Sequence, residues 1–244
     1  MHPNSPEGKQ ILATLRGGDY AHPGEAEAIA LTFDGVPVEP GARVLDVGCG
    51  RGGTAEWIRE RGWTQVVGID SDAEAIRYAQ QRYPSVDFHS CDVQALPRAD
   101  LGSFDLICLF NSFYAFTDQP GALRNLRGVA RPGAQLRLFD YAQPVPGPLP
   151  EALGSAIGTP IALDAVAAQL ARAGWRQQAV VDLTGRYIGW YQTLLDRLAA
   201  GRAAITERHG AQWYDYFDSW YGTLHGALIA GQLRGVLITA AAVP

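Results

Sequence analysis

The residues of this sequence best suited to chemistry are one glycine cluster and three acidic residues that end or follow predicted strands. Asp46 lies two residues before the glycine-rich segment 48–53, Asp70 ends the apolar segment 66–70, and Asp92 follows the strand-like segment 88–91. Glycines let the backbone turn sharply and approach a ligand with no Cβ in the way. Carboxylates at strand ends can accept hydrogen bonds from ribose hydroxyls or from an amino group. This pattern predicts a site for a nucleoside-containing cofactor.

The glycine spacing alone does not choose between two cofactors. The segment 48–53 fits the dinucleotide fingerprint, and Asp70 suits the ribose hydroxyls of NAD and S-adenosylmethionine equally. Asp46 favours the latter, because an acid there suits a cationic amino group better than a pyrophosphate. A short-chain dehydrogenase would also need a Tyr-x-x-x-Lys pair, whereas Lys9 is the only lysine. The sequence therefore favours S-adenosylmethionine over NAD.

Five segments resemble, in order and spacing, the successive motifs of class I S-adenosylmethionine-dependent methyltransferases. They are 44–52, 68–70, 91–93, 104–107 and 131–133, and the resemblance covers about residues 20–183. It implies an enzyme that binds S-adenosyl-L-methionine and releases S-adenosyl-L-homocysteine, with Asp46 and Gly48 at the methionine end, Asp70 at the ribose and Asp92 at the adenine. The residues predicted to bind the cofactor are Asp46, Gly48, Cys49, Gly50, Asp70, Ser71, Cys91, Asp92, Val93 and Asn111.

Alternating short apolar strands and amphipathic helices must position these residues. The predicted strands cover 44–47, 66–70, 86–90, 104–110, 135–139, 176–183 and 234–240. The segment 104–110 is almost continuously apolar, as expected of a parallel strand covered on both faces, and Ser71-x-x-Glu74 predicts a helix start. We therefore predict an α/β fold. It is a doubly wound, Rossmann-like, seven-stranded, mostly parallel sheet with helices on both faces and a helical insertion between strands six and seven.

Together with this pattern, the resemblance implies a single methyltransferase domain over residues 1–244. Its parts are an N-terminal cap segment (1–40), a cofactor-binding core (41–183), a helical substrate lid (184–231) and the last strand (232–244). Residues 1–19 are polar and end in glycines, which predicts a loosely held lead-in. The insertion and the segment 231–235 resemble, more loosely, sarcosine/dimethylglycine N-methyltransferases, which implies a small amine as the methyl acceptor.

Few catalytic side chains are expected, because methyl transfer from a sulfonium needs alignment more than a special group. An amine must be neutral to attack, and a positioned His or Tyr can accept its proton. A stripe of polar and aromatic residues at helical spacing in the insertion predicts either a pocket wall or a solvent-exposed face. The stripe is Tyr214, Asp218, Tyr221 and His225. The predicted catalytic or site-closing residues are His225, Tyr221, Tyr20 and His22.

The nature of the methyl acceptor is open between two classes. Aromatic rings with Asp140 or Asp218 suit an amine through cation–π contacts, and the same rings suit a flat aromatic or polyketide-like metabolite. We predict a small-molecule nucleophile, first an amine nitrogen, with O- or C-methylation as the alternative. A non-catalytic S-adenosylmethionine-binding protein is a more distant alternative. The residues predicted to bind the substrate are Tyr114, Asp140, Tyr141, Trp190 and Tyr214.

Composition argues against several other classes of protein. The net charge is −5, and the 20 basic residues form no stripe, which argues against nucleic-acid binding. No segment reaches the ~20 apolar residues of a membrane span, and the N-terminus lacks the apolar centre of a signal peptide. Cys49, Cys91 and Cys108 are scattered, which favours small buried thiols over disulfides or a zinc site. We expect a cytoplasmic monomer or homodimer that binds no metal.

Overall fold

A mixed sheet of eight strands forms the centre of the computed structural model, which describes residues 1–153 and 156–243. The strands are β1 (Arg43–Val47), β2 (Gln65–Asp70), β3 (Asp87–Ser90), β4 (Phe104–Phe110), β5 (Ala130–Gln143), β6 (Ile161–Ala162), β7 (Trp175–Asp182) and β8 (Arg234–Ala242). Their order is β3-β2-β1-β4-β5-β8-β7, and β6 pairs with β5. All pairs are parallel except those of β8, which runs antiparallel to β5 and β7.

The centre of the sheet is the point where the strand order reverses. The chain passes outward from β1 through β2 to β3 and returns to β4 on the other side of β1. β1 and β4 are buried along nearly their whole length, as strands covered on both faces must be. A crevice forms beyond the carboxyl ends of parallel strands at such a reversal, and ligands bind there.

The predicted fold class is confirmed, with one strand more than expected. The additional strand is β6, which pairs with Ala142 and Gln143 at the end of β5. β5 itself continues beyond Phe139, because β8 pairs with it without interruption from Gln135 to Ala142. Asp140 therefore lies inside β5 rather than after it.

Helices cover both faces of the sheet. One apolar layer contains Leu123, Leu126 and Leu170, and the other contains Ile58 and Ile76 together with residues of the insertion. Among the described residues, no helix is both long and apolar enough to cross a membrane. The helices are α1 (Pro6–Arg16), α2 (Glu25–Thr32), α3 (Gly53–Glu60), α4 (Ala73–Arg82), α5 (Gln119–Gly128), α6 (Val166–Arg172), α7 (Thr184–Ala200), α8 (Arg202–His209) and α9 (Ala211–Ile229).

The N-terminal residues form a packed helix, so the prediction of a loosely held lead-in is wrong. The Ser5 hydroxyl caps α1 by accepting a hydrogen bond from Gly8 N–H at 3.2 Å, and Pro6 takes the first helical position, where its missing N–H costs nothing. Ile11 and Leu12 are buried in the same apolar layer as the insertion. This burial, which the mostly polar composition of the segment hides, holds the helix in place.

An ion pair and a hydrogen bond also attach α1 to its neighbours. Lys9 Nζ lies 2.5 Å from Asp72 Oδ2 at the start of α4, and His209 Nδ1 lies 3.0 Å from Glu7 Oε1. α1 is therefore connected both to the sheet-covering layer and to the insertion.

A helical insertion separates β7 from β8, as predicted, and consists of α7, α8 and α9. Of the polar and aromatic stripe on α9, Tyr214 and Tyr221 are buried, His225 is half-buried and Asp218 is exposed. The adjacent face of α9, which the spacing predicts to be core, is buried throughout: Trp213, Phe217, Trp220, Leu224 and Leu228.

Candidate active site

A cleft of about 470 Å³ opens at the carboxyl ends of β1, β2 and β4. We call it the strand-end cleft. It brings together the residues predicted to bind the cofactor, except that Asp46 and Cys49 lie outside its described lining. The predicted residues that line it are Gly48, Gly50, Asp70, Ser71, Cys91, Asp92, Val93 and Asn111.

The turn after β1 requires glycine at the edge of this cleft. Gly48 has φ +76° and Gly50 has φ +53°, a region that other residues adopt only with strain. A Cβ on Gly48 would overlap the side chain of Ser112, whose hydroxyl donates to the Val47 carbonyl at 2.7 Å. The turn therefore presents bare backbone to the cleft.

Asp70 supports this turn through hydrogen bonds to the backbone. Its Oδ2 accepts from Gly50 N–H at 2.8 Å and its Oδ1 from Asp72 N–H at 2.9 Å. Each carboxylate oxygen keeps a second lone pair, so Asp70 can also accept from a ligand. Asp72 rather than Ser71 caps α4, since its Oδ1 accepts from Glu74 N–H at 2.9 Å. The capping residue is thus displaced by one position from the predicted Ser71, while the helix itself begins at Ala73.

Asp46 lies in the layer beneath the glycine turn. It is 1% exposed, and its Oδ2 has no hydrogen-bond partner among the described residues. Burial, and then the charge of Asp70, raise its pKa to about 7. Cys49 is buried beside Gly68, so Asp46 and Cys49 both lie beneath the surface of the cleft.

The far end of the cleft is formed by residues after β3. Val93 is buried, Cys91 is half-buried and Asp92 is exposed. Asp92 Oδ1 accepts from Gln94 N–H at 2.8 Å, which fixes the carboxylate at the rim. An exposed acid beside an apolar side chain suits a flat base that carries an amino group.

A second, smaller cavity of about 50 Å³ lies next to the cleft, and we call it the inner cavity. Asn4, Lys9, Gly50, Asn111 and Tyr114 line both, so the two spaces share a wall. The Tyr141 and Tyr191 hydroxyls are hydrogen-bonded to each other, and the Tyr191 and Tyr221 rings stack at 5.8 Å. The aromatic residues of its lining are Tyr20, Tyr114, Tyr141, Tyr191, Trp220 and Tyr221.

Three cations also line the inner cavity, and two of them have close partners. Lys9 pairs with Asp72, and Arg51 Nε lies 2.9 Å from Asp19 Oδ1. The Arg16 side chain is 1% exposed, and its nearest carboxylate is Glu25 at 4.0 Å. Sequence reasoning missed Arg16. The available signal was its place four residues after Leu12, on the apolar face of a helix whose start Ser5 and Pro6 could have marked.

His22 is buried and neutral. Its Nδ1 donates to the Pro23 carbonyl at 3.1 Å, so its Nε2 accepts from the Thr54 hydroxyl at 3.0 Å. Burial lowers its pKa to about 3, and its ring packs 4.8 Å from the Phe110 ring. His22 lies outside the described lining of both spaces, whereas its neighbour Tyr20 lines the inner cavity.

Asp140 has no exposed surface and holds the turn after β4. It accepts from Phe113 N–H at 2.8 Å and Tyr141 N–H at 2.7 Å, and burial raises its pKa to about 7. The turn that it holds carries Tyr114, which lines both spaces.

The remaining predicted site residues lie away from the described lining of the two spaces. Trp190 packs on Gly24 and donates from Nε1 to Glu27 at 2.9 Å. The ring of Tyr214 lies beneath Arg202, and His225 is half-buried further along α9. Their predicted roles stay predictions, whereas Tyr114, Tyr141, Tyr221 and Tyr20 converge on one cavity.

Comparison with known proteins agrees with this geometry. Residues 45–138 match the methyltransferase domain family. Phosphoethanolamine N-methyltransferase 1 of Zea mays is 26% identical over 231 residues, covering 91% of this chain and 46% of that protein. Demethylmenaquinone methyltransferase of Renibacterium salmoninarum is 33% identical over 118 residues, covering 48% and 49% respectively. The chain thus spans about half the length of these curated relatives.

A solved structure has the same fold over almost the whole chain. It is Haemonchus contortus phosphoethanolamine N-methyltransferase 2 in complex with phosphomonomethylethanolamine and S-adenosylhomocysteine. The TM-score is 0.86 at 19% identity, and the match covers 98% of this chain and 57% of the other. Residues 45–138 thus match a methyltransferase domain, and the order of the sheet and the glycine turn at its reversal are those of the class I S-adenosylmethionine-dependent methyltransferase fold.

Proposed function

We propose that this chain transfers a methyl group from S-adenosylmethionine to a small-molecule nucleophile, an amine nitrogen. The observation that carries the proposal is the wall shared by the strand-end cleft and the inner cavity, at Gly50, Asn111 and Tyr114. A cofactor in the cleft and an acceptor in the cavity would meet at this wall, as in-line transfer requires. The family match and a relative named as an N-methyltransferase support the proposal.

The strand-end cleft has the features that this cofactor needs. Its volume falls within the ~300–1,000 Å³ of small-molecule sites, and Gly48 and Gly50 allow close approach of the ligand to the backbone. Asn111 Nδ2 is buried with no hydrogen-bond partner in the described part of the chain, so it is free to donate to a ligand. Asp70 would accept from the ribose hydroxyls, and Asp92 from the adenine amino group.

The chain itself needs only to align the acceptor and exclude water. S-adenosylmethionine supplies the methyl group on a sulfonium sulfur. Burial raises the pKa of the Tyr114 and Tyr221 hydroxyls, so both remain protonated near neutral pH and act as hydrogen-bond partners that orient the nucleophile. Among the predicted catalytic residues, Tyr20 and Tyr221 are the two that line the inner cavity.

The size of the inner cavity favours a small amine over a larger metabolite. Its volume of about 50 Å³ is far below the ~300–1,000 Å³ of sites for drug-sized ligands. A flat aromatic or polyketide-like molecule would require α1 or α9 to move. Some relatives are named as O-methyltransferases. A small oxygen nucleophile is therefore the alternative acceptor, because a tyrosine hydroxyl can form a hydrogen bond with either a nitrogen or an oxygen nucleophile.

Ligand binding and product identification test the two halves of the proposal. S-adenosylmethionine at a hundredfold excess over Kd should stabilise the protein by ~2.7 kcal/mol, whereas NAD should leave its Tm unchanged. Incubation with labelled S-adenosylmethionine and a metabolite extract should then give a labelled small molecule that mass spectrometry identifies. Equal thermal shifts with NAD would contradict the cofactor, and binding without any labelled product would indicate a protein that only binds it.

A further inference from the structure

The unpartnered polar atoms in the inner cavity are all hydrogen-bond donors. Arg16 Nε, Arg16 Nη1, Trp220 Nε1 and Asn111 Nδ2 are each buried, and none has a hydrogen-bond partner among the described residues. Arg51 Nε also lacks a well-directed hydrogen bond, but it is ion-paired with Asp19. No side-chain oxygen of the described cavity lining is left unpartnered in this way. A buried donor without an acceptor is costly, so this cavity suits a ligand that brings acceptor atoms.

Arg16 gives the cavity a buried positive charge whose counter-ion lies at the outer limit of an ion pair. It is the last residue of α1, and only 1% of its side chain is exposed. The nearest carboxylate, on Glu25, lies 4.0 Å away and also faces Arg197 at 3.6 Å. A guanidinium cannot lose its charge in a protein, so burial without a close counter-ion is unfavourable unless a ligand supplies the anion.

We propose that the inner cavity binds an oxyanion of the methyl acceptor, with Arg16 as its charged anchor and Trp220 Nε1–H as a second donor. This inference rests on the proposed methyl transfer and names its substrate class. The acceptor is a small molecule that carries a carboxylate or a phosphate. The planar guanidinium matches both groups, since it can donate two parallel hydrogen bonds to a pair of oxygens.

The positions of these residues also orient the acceptor. Arg16 and Trp220 line the inner cavity alone, whereas Asn111 and Tyr114 line it together with the strand-end cleft. An oxyanion at Arg16 therefore places the other end of a short molecule at the shared wall, beside the cofactor. The positive charge of Arg16 would repel a simple cationic amine, so an amine acceptor must also carry the anion.

Matched pairs of small molecules test the proposal by calorimetry on protein saturated with S-adenosylhomocysteine. Phosphoethanolamine is compared with ethanolamine, and glycine with methylamine, so that each pair differs in the anionic group. We expect the anion-bearing member of at least one pair to bind roughly tenfold tighter or more, and the pair concerned distinguishes phosphate from carboxylate. Equal binding within both pairs, or no binding of either anion-bearing molecule, would overturn the proposal.

Variants of Arg16 separate an anchor from a structural residue. Arg16→Met should weaken binding of the preferred anion roughly 10- to 100-fold, and Arg16→Lys should weaken it less because the charge remains. Arg197→Met is the matched control, since Arg197 also faces Glu25 but lies outside the described lining. It should keep wild-type anion binding.

Two further measurements on the same variants make the outcome decisive. The Tm of Arg16→Met without ligand should equal or exceed that of the wild type, because a buried charge is replaced by an apolar side chain of similar length. Its affinity for S-adenosylhomocysteine should be unchanged. A lowered Tm with unaltered anion preference would mean that Arg16 is structural. Failure of the wild-type protein to bind S-adenosylhomocysteine would instead contradict the proposed methyl transfer, while the anion preference could still be measured.

Discussion

Two carboxylates shape the site by holding backbone N–H groups. Asp140 fixes the turn that carries Tyr114 by accepting from Phe113 N–H and Tyr141 N–H. Asp70 fixes the glycine turn through Gly50 N–H and yet lines the strand-end cleft. Asp140 is fully buried, so its contribution is to position other groups, whereas Asp70 can also contact a ligand.

Asp70→Ala should weaken binding of S-adenosylhomocysteine by about 1–3 kcal/mol, because the ribose hydroxyls would lose their acceptor. Asp70→Asn keeps one acceptor oxygen and should lose less. Calorimetry measures both, with Asp87→Asn as a control at an exposed position outside the described cleft lining. Unchanged affinity in a folded Asp70→Ala protein would show that this residue only holds the backbone.

Tyr221→Phe should lower kcat/KM for the acceptor and leave the affinity for S-adenosylhomocysteine unchanged. The change removes one hydroxyl from the inner cavity and none from the strand-end cleft, so it affects alignment in the transition state. Tyr216→Phe is the matched control, because Tyr216 is on the same helix and outside the described cavity lining. Equal losses in the two variants, or a parallel loss of cofactor affinity, would contradict this role. A pH–rate profile of His225→Gln tests the other predicted proton acceptor.

At the scale of elements, the features predicted from the sequence are those that depend on the spacing of nearby residues. Apolar segments ending in acids locate β1, β2 and their glycine turn, and helical periodicity locates the insertion with its buried face. The inner cavity could not be predicted, because Arg16, Tyr114, Tyr141 and Tyr191 come from four separate segments that only the tertiary fold brings together. α1 was missed because only two buried apolar side chains, Ile11 and Leu12, hold it among mostly polar residues.

The backbone amides of α1 should exchange more slowly with solvent when S-adenosylhomocysteine is bound. Lys9 of α1 lines both spaces, and Leu12 and Arg16 line the inner cavity. Local unfolding of α1 therefore removes part of the binding site and competes with ligand binding. At a hundredfold excess of S-adenosylhomocysteine over Kd, amide exchange in residues 6–16 should slow by up to ~100-fold. α6 is the internal control, because it packs on the opposite face of the sheet. Equal slowing in α1 and α6 would show general stabilisation and no closure by α1.

At the scale of the whole molecule, the site lies between two layers that depend on each other. The sheet supplies the strand-end cleft, while α1, α7 and α9 enclose the inner cavity through Arg16, Tyr191 and Tyr221. Two ionisable groups near the site are buried in the fold. These groups are Asp46 and His22, and their pKa values shift in opposite directions relative to ordinary values.

The buried carboxyl group of Asp46 should make the free energy of unfolding depend on pH. Burial raises its pKa from 3.8 to about 7 in the folded protein, so the folded state binds this proton more tightly than the unfolded chain. Its contribution is fully present below about pH 4 and is lost as the pH rises to about 7, amounting to a few kcal/mol at ~1.4 kcal/mol for each pKa unit. His22 acts oppositely, since burial lowers its pKa to about 3 and its contribution grows as the pH rises towards 6.5.

Comparison with Asp46→Asn isolates the carboxylate, because His22 contributes equally to both proteins. Urea unfolding of the ligand-free proteins at intervals from pH 4 to pH 8 gives the difference in free energy of unfolding, wild type minus variant. That difference should fall steadily as the pH rises, because the wild type must bury a charge that the amide does not carry. Asp218→Asn, at an exposed position on α9, should show a difference that stays flat. Parallel curves for wild type and Asp46→Asn would mean that Asp46 is ionised without cost in the folded protein.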